Sequence, residues 1–285
     1  MNVPAMRVPA VNIALDEDFH VHSAFSDDAE SSVAENVAAA TLRGLRTLCV
    51  ADHVRRDTPW VGELAAAVAK FQDAPGPRVL AGVEAKILDS VGRLDLPDEL
   101  GGIDLVLIAD HQFPWDDGPV HPDQVRAAIG GGELTGAEAI ERLCAATEAA
   151  VRTTDRGRVL VHLFSLLPKI GLSEDMVPAA LLTRLAAQVA QSGAMVEVNE
   201  KWACPSARTV TAMMRAGVPV VAGSDSHHCR DVGVYRSVAA TAAKLSPAPG
   251  SPASESPAAE SPAAESPAAD SPASVSPASG SEVRA

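Results

Sequence analysis

The sequence predicts an α/β protein whose parallel sheet closes, or nearly closes, into a barrel. Three observations lead there. Seven short apolar runs alternate with Ala- and Leu-rich helical segments, several runs are apolar on both faces, and a histidine or an acid stands at the C-terminal end of most of them. Strands apolar on both faces in βα alternation indicate a parallel sheet covered by helices. In a barrel every strand C-terminus converges on one mouth. An open sheet with strands about 4.8 Å apart would spread the same residues along an edge more than roughly 20 Å long. Convergence of the polar residues therefore favours closure.

In chain order the strands are expected at VNIAL (11–15, with an extension to Phe19), RTLCVA (46–51), RVLAGVE (78–84), DLVLIAD (104–110), RVLVHLF (158–164), AMVEVN (194–199) and VPVVAGS (218–224). Helical spacing fills 31–44, 64–71, 135–152, 177–193 and 206–217. Gly44, Gly193 and Gly217 each stand where a helix-terminating glycine is expected. The segment 109–136 is long, Gly-rich and carries Pro and Trp, so it reads as a lid or substrate loop or simply as a long connection. Near residue 245 the composition changes. Seven pentapeptides beginning Ser-Pro-Ala follow, and proline at every fifth residue forbids a continuous helix or a paired strand. Two domains are therefore expected: a barrel over 1–245 and a disordered, mildly acidic tail over 246–285.

The 285 residues suit one such barrel, and 47% apolar content supplies its core, although only 3% is aromatic. The net charge of −14 argues against a nucleic-acid scaffold, because the whole chain repels phosphate. Four cysteines, Cys49, Cys144, Cys204 and Cys229, show no CxxC spacing and no disulfide framework, which fits a reducing cytoplasm. The N-terminal stretch is a poor signal peptide and no run reaches the length of a membrane span.

The chemistry lies at the strand ends. DFHVHSAFSDD (18–28) places His20 and His22 after the first strand, and alternation puts both imidazoles on one face. His53 follows the second strand in VADHV, Glu84 closes the third in GVEAK, and His111 follows the fourth in IADHQF. His162 ends the fifth, and Asp225 and His227 follow the last in GSDSH. Each alone is ordinary strand-end polarity. Together, neutral imidazoles and carboxylates with no thiolate form a ligand set suited to zinc, manganese or iron.

Taken in this order, DFHVHSAFSD, VADH, GVE, ADH, VH and GSDSH resemble the PHP (polymerase and histidinol phosphatase) family over about residues 16–235, closest in layout to its stand-alone bacterial phosphatases. The resemblance implies a distorted (β/α)7 barrel carrying two or three divalent ions. It also implies that His20, His22, Asp27, His53, Glu84, His111, His162, Asp225 and His227 are their ligands. His20, His22, Glu84 and Asp225 would hold one ion, Asp27, His53 and His227 a second, and His111 and His162, with Glu84 bridging, a third. Asp28 is the neighbouring alternative to Asp27, and Asp18 is expected behind a ligand imidazole.

The implied activity is hydrolysis of a small phosphate ester by metal-activated hydroxide, with no side-chain nucleophile. Lys201, Arg230, Lys169 and Arg55 follow strand ends and are candidate phosphate contacts. Two alternatives stand beside it. One is a related metal-barrel hydrolase acting on a C–N or C–O bond, which expects a bridging lysine not identified in the sequence. The other is a non-enzymatic partner module.

Overall fold

A computed structural model describes residues 13–245 of the chain. The Ser-Pro-Ala segment, 246–285, lies outside the described residues, as do the first two positions of the 11–15 strand candidate.

Seven parallel strands form one sheet in the order β1 (Glu17–Val21), β2 (Thr47–His53), β3 (Arg78–Lys86), β4 (Leu105–Ala109), β7 (Gly157–Leu160), β8 (Met195–Asn199) and β9 (Val220–Gly223). The first and last strands meet. His22 N donates to Ser226 O at 2.9 Å and Asp225 N to His20 O at 2.8 Å, so the sheet is a nearly closed barrel. Eight α-helices are described, and those in the crossovers between parallel strands include α1 (Val33–Leu42), α2 (Val61–Ala69), α4 (Gly136–Ala150), α6 (Ala179–Ser192) and α7 (Ala207–Arg215). No helix among the described residues is long and apolar enough to cross a membrane.

Local sequence explains the helix boundaries. Ser32 accepts from Glu35 N while Glu35 accepts from Ser32 N at 2.8 Å, and Thr135 and Glu138 repeat this reciprocal cap at the start of α4. Gly193, with φ of +73°, ends α6 in the left-handed region that glycine adopts without steric cost. Strand alternation divides the core in two. Cys49, Ala51, Leu80, Leu107, Val159 and Val221 pack with one another inside the barrel. Leu48, Val50, Val83, Val106 and Val196 face outward onto Leu64, Leu143 and Leu185 of the helices.

Six of the seven expected strands fall where the hydropathy puts them. The first differs: β1 is Glu17–Val21, which overlaps only the extension of the 11–15 candidate to Phe19. Ile13 is buried, but against Val198, Val210, Ala222 and Val238 rather than in a strand pair. Its apolar signal thus comes from packing, not from pleating. The segment after β4 also has structure of its own. It contains an antiparallel hairpin, β5 (Phe113–Trp115) with β6 (Gly118–Val120), and then α3 (Pro122–Gly131), capped by His121, whose Nδ1 accepts from Asp123 N. Phe113 is fully buried and Arg142 of α4 lies over Trp115, 5.3 Å from the ring centre, so the hairpin is anchored to the body. Two further helices, α5 (Leu166–Lys169) and α8 (Ser237–Leu245), had no expectation attached to them.

Candidate metal centre

Delivery of the first two histidines depends on an irregularity. Asp18 pairs with Leu48 but Val21 pairs with Val50, so β1 carries one more residue than β2 over this interval. Such a bulge re-aims a side chain. Phe19 packs inside the barrel and Val21 outside, and the extra residue turns His20 into the mouth beside His22. Asp18 pins this turn from behind, accepting from Ser224 N at 2.9 Å and Gly233 N at 2.8 Å.

Glu84, at the mouth end of β3, is the hub of the cluster. Its Oε1 lies 2.9 Å from His162 Nε2 and 3.0 Å from His111 Nε2. Its Oε2 lies 2.8 Å from His53 Nδ1 and 3.5 Å from both His20 Nε2 and His22 Nε2. Asp225 Oδ1 is 3.5 Å from His22 Nε2 and 3.6 Å from His227 Nδ1. Three groups of donor atoms, His20–His22–Glu84, His22–His53–His227 and His53–Glu84–His111, each lie within 4.8 Å of one another. This spacing suits shared cations.

Two observations test whether these residues fit metal ions. Glu84 Oε2 is fully buried, and three imidazole nitrogens surround it without one of them forming a well-directed hydrogen bond. Moreover, His20 Nε2 and His22 Nε2 face each other at 3.1 Å. His20 Nδ1 is engaged by the buried carboxylate of Glu197 at 2.9 Å, so a proton belongs there and Nε2 is the ring nitrogen that faces the cluster. Two ring nitrogens this close call for a cation between them, a proton or a metal ion. The donor set fits.

The electrostatics agree. Burial works against charge on His20, but Glu197, Glu84 and Asp225 overcome it and hold the imidazolium well above the usual histidine range. His162 rises to about 10, with burial again opposing and Asp110 and Glu84 raising. His22 falls to about 3, chiefly through burial, with His20 and His53 adding to the drop. Burial alone would raise Glu84, yet His111, His20 and His162 keep it well below the carboxylate range, and Asp225 is lowered in the same way by His20 and His22. Without metal, the cluster compensates its buried acids with protons.

Of the nine residues named as ligands, the structure brings His20, His22, His53, Glu84, His111, His162, Asp225 and His227 together at the mouth. The aspartate that reaches these imidazoles is Asp28, 3.2 Å from His227 Nε2 and 3.7 Å from His53 Nε2. Asp27 and Asp28 both line the cavity that opens beside them. Among the candidate phosphate contacts, Lys201 Nζ reaches Asp225 Oδ1 at 3.4 Å and His227 Nδ1 at 3.3 Å. Lys169 Nζ lies over the Trp202 ring at 3.9 Å, and Trp202 in turn sits edge-on to His162. Arg55 lines the cavity, whereas Arg230 pairs with Asp231.

That cavity, about 670 Å³, opens from His53, Glu84 and His111 to a wall made by Phe25 and Trp60, whose rings are 5.2 Å apart. Sequence reasoning missed this wall and Trp202. It also missed three buried carboxylates behind the cluster: Asp52, Asp110 and Glu197. Only the two aspartates had a visible signal, the tripeptide Ala-Asp-His occurring at the end of both β2 and β4.

Comparison with known proteins agrees with this geometry. A protein of Caldanaerobacter subterraneus subsp. tengcongensis named a probable phosphatase is 26% identical over 233 residues, covering 76% of this chain and 78% of that one. Another so named, from Photobacterium profundum, is 37% identical over 98 residues, 33% of this chain and 40% of that one. Among solved structures, histidinol phosphate phosphatase from Lactococcus lactis, complexed with zinc, L-histidinol and phosphate, superposes with a TM-score of 0.57 at 18% identity. The superposition covers 80% of this chain and 93% of that one, and shows a shared fold. The sequence profile of the PHP domain matches residues 18–201, well over half of the chain, and with the barrel and its ring of histidines in place the chain belongs to the PHP domain family.

Proposed function

We propose that this chain is a metal-dependent phosphatase acting on a small phosphate ester, with two or three divalent ions (zinc, manganese or iron) held at the barrel mouth. The observation that carries the reading is the convergence of His20, His22, His53, His111 and His162 on the single carboxylate of Glu84. Five imidazoles around one buried acid make poor sense as a hydrogen-bond network and good sense as a ligand shell. His20, His22, Glu84 and Asp225 would hold one ion, His53, His227 and an aspartate a second, and His111, His162 and Glu84 a third. Asp28 takes the aspartate position ahead of Asp27 because its carboxylate faces the two histidines. Bound there, the ions would supply hydroxide near neutral pH and neutralise charge on the phosphoryl oxygens.

The chain's own residues bind and orient the ester. Lys201 stands beside Asp225 and His227, where its ammonium would meet a phosphoryl oxygen; Lys169, over Trp202, and Arg55, in the cavity wall, are the further phosphate contacts. The cavity accommodates a leaving group of the size of an amino alcohol, a sugar or a nucleoside, and the relatives' names support phosphate-ester chemistry. With its four cysteines free as thiols, the chain suits a reducing cytoplasm.

The test is substitution with metal analysis. His22→Ala or Asp225→Ala is expected to abolish hydrolysis of p-nitrophenyl phosphate while the circular-dichroism spectrum is retained. Purified wild-type protein should carry at least two equivalents of divalent metal. Activity within a few-fold of wild type in either variant, or after complete chelation, refutes the reading.

A further inference from the structure

The repeated tripeptide Ala-Asp-His, 51–53 and 109–111, does two jobs at each occurrence. The histidine turns into the cluster. The aspartate beside it is buried and turns away. Asp52 accepts from Ser23 N at 2.7 Å, Ser23 Oγ at 2.6 Å and Ser26 Oγ at 2.7 Å. Ser26 Oγ in turn accepts from His53 N at 2.9 Å and lies 3.3 Å from His22 Nδ1.

A hydroxyl offers one proton and two lone pairs, which assigns every contact of Ser26. The proton goes to the Asp52 carboxylate. One lone pair takes the His53 amide, which can only donate. The remaining lone pair requires a proton on His22 Nδ1, so His22 Nε2 is left bare, 3.5 Å from Glu84 Oε2 and from Asp225 Oδ1.

The second occurrence repeats the arrangement on the other side of the barrel. Ser165 Oγ donates to Asp110 Oδ1 at 2.8 Å and lies 3.3 Å from His162 Nδ1, which is also 3.4 Å from Asp110 Oδ1. Both neighbours of that nitrogen are acceptors, so it too carries a proton. In each case the aspartate stands at the end of one strand and the histidine at the end of the adjacent one: β2 serves β1, and β4 serves β7.

We propose that Asp52 and Asp110 are positioning residues for the metal centre, each acting through one serine, Ser26 or Ser165. Each keeps a proton on Nδ1 of the neighbouring strand's buried histidine and leaves that ring's Nε2 as the nitrogen available to a metal. This rests on the metal-site reading, but the tautomer belongs to the chain alone and is measurable without any substrate. The sequence spacings that build it are His22 to Ser26 and His162 to Ser165.

The experiment uses full-length protein labelled with 15N-histidine and long-range 1H–15N correlation spectra. In the zinc-free protein at pH 7.5, His22 is expected as the Nδ1–H tautomer. With zinc, His22 and His162 should both show a protonated Nδ1 and a metal-bound Nε2. Ser26→Ala removes one oxygen and should release His22 into a mixture of tautomers. It should also weaken zinc binding, measured by chelator competition, by about 10-fold or more. Ser26→Thr retains the hydroxyl and should restore both readings. A folded Ser26→Ala protein with unchanged tautomer and zinc affinity within two-fold overturns the proposal. So does Nε2–H at His22 in the wild type, a measurement that decides the matter even where the variant fails to fold. Failure to bind zinc at all overturns this proposal and the metal reading together, whereas zinc binding with an indifferent Ser26 overturns only this one.

Discussion

Gly223→Ala offers a sharp perturbation because one methyl group meets the support of the metal centre. Gly223 ends β9, and a Cβ built there would lie 1.8 Å from Glu197 Oε1, 2.7 Å from its carboxyl carbon and 2.9 Å from His20 Cβ. Against an optimal separation of about 3.5 Å, the carboxylate must retreat by roughly 1.7 Å. It has nowhere to go. Oε1 engages His20 Nδ1 at 2.9 Å, and Oε2 accepts from His162 N at 2.6 Å and Asn199 Nδ2 at 3.0 Å. Displacement leaves buried donors unpaired at about 1–3 kcal/mol each, and overpacking adds about 1–3 kcal/mol. With partial relaxation, the expected loss is about 3–6 kcal/mol.

The assay is urea unfolding of the zinc-free protein in two backgrounds. In the wild type, Gly223→Ala should cost the full amount and also weaken zinc binding about 10-fold or more by releasing His20. In Glu197→Ala the colliding carboxylate is gone. There the same substitution should cost only about 1–3 kcal/mol, because the carboxylate clash is gone and the tight approach to His20 Cβ is all that remains. Equal costs in the two backgrounds, or a wild-type cost below about 1 kcal/mol, would show that the crowding around Glu197 does not hold the site.

Other consequences are equally accessible. Lys201→Met should lower kcat/KM for p-nitrophenyl phosphate about 10- to 100-fold, the value of a hydrogen bond to a charged group. Metal stoichiometry should not change, and full activity would remove Lys201 from the phosphate site. Zinc binding at pH 7.5 should release protons, because without metal the charge on His162 persists to about 10. That charge stabilises the zinc-free fold fully below about pH 6.5 and progressively less as pH rises toward 10. Zinc affinity should climb through the same interval. Calorimetry in two buffers of different ionisation enthalpy measures the release, and none would contradict the electrostatics. Finally, Cys49, Cys144 and Cys204 are buried, and burial pushes the Cys144 thiol up to about 12. One rapidly reacting thiol, Cys229, is therefore expected per native chain at pH 8, against four after denaturation. Rapid reaction of two or more would mean that the barrel opens.

Much of this architecture was legible because hydropathy and ligand chemistry are written locally. A run as short as DLVLIAD, rich in branched residues and bounded by aspartates, reads as a strand buried on both faces, and a histidine directly after it falls at the strand end. Asp27 and Asp28 show the limit of that reading. They are adjacent carboxylates nearly equally distant from His22 in sequence, and only the turn geometry turns Asp28 toward His53 and His227. The first strand shows another limit, since Ile13 is apolar for the sake of Val198 and Val238, far away along the chain. Glu197 was invisible for a third reason. In AMVEVN it reads as a polar interruption of a strand, and its partners His20 and Gly223 come from opposite ends of the sequence.

The buried charges say why cations belong here. Asp52, Glu84, Asp110, Glu197 and Asp225 are each at most 5% exposed, and they surround one end of the barrel. No lysine or arginine is buried among the described residues. Five carboxylates withdrawn from water without compensating charge would cost several kcal/mol apiece. Part of that cost is met by amide and hydroxyl donors, as at Asp52, where three donors converge on one carboxylate. The remainder falls to histidines, which is why burial fails to neutralise His20 and His162. Protons on imidazoles are a pH-dependent solution to this imbalance, and divalent ions are a stronger one, since each brings two charges to the point that the ring nitrogens face. Asp52, Asp110 and Glu197 lie behind the rings rather than among them, so they orient the ligands without competing for the metal. The arrangement places negative charge in two layers, one facing the cluster and one behind it, and a chain with only the first layer would keep the histidines and have a looser centre.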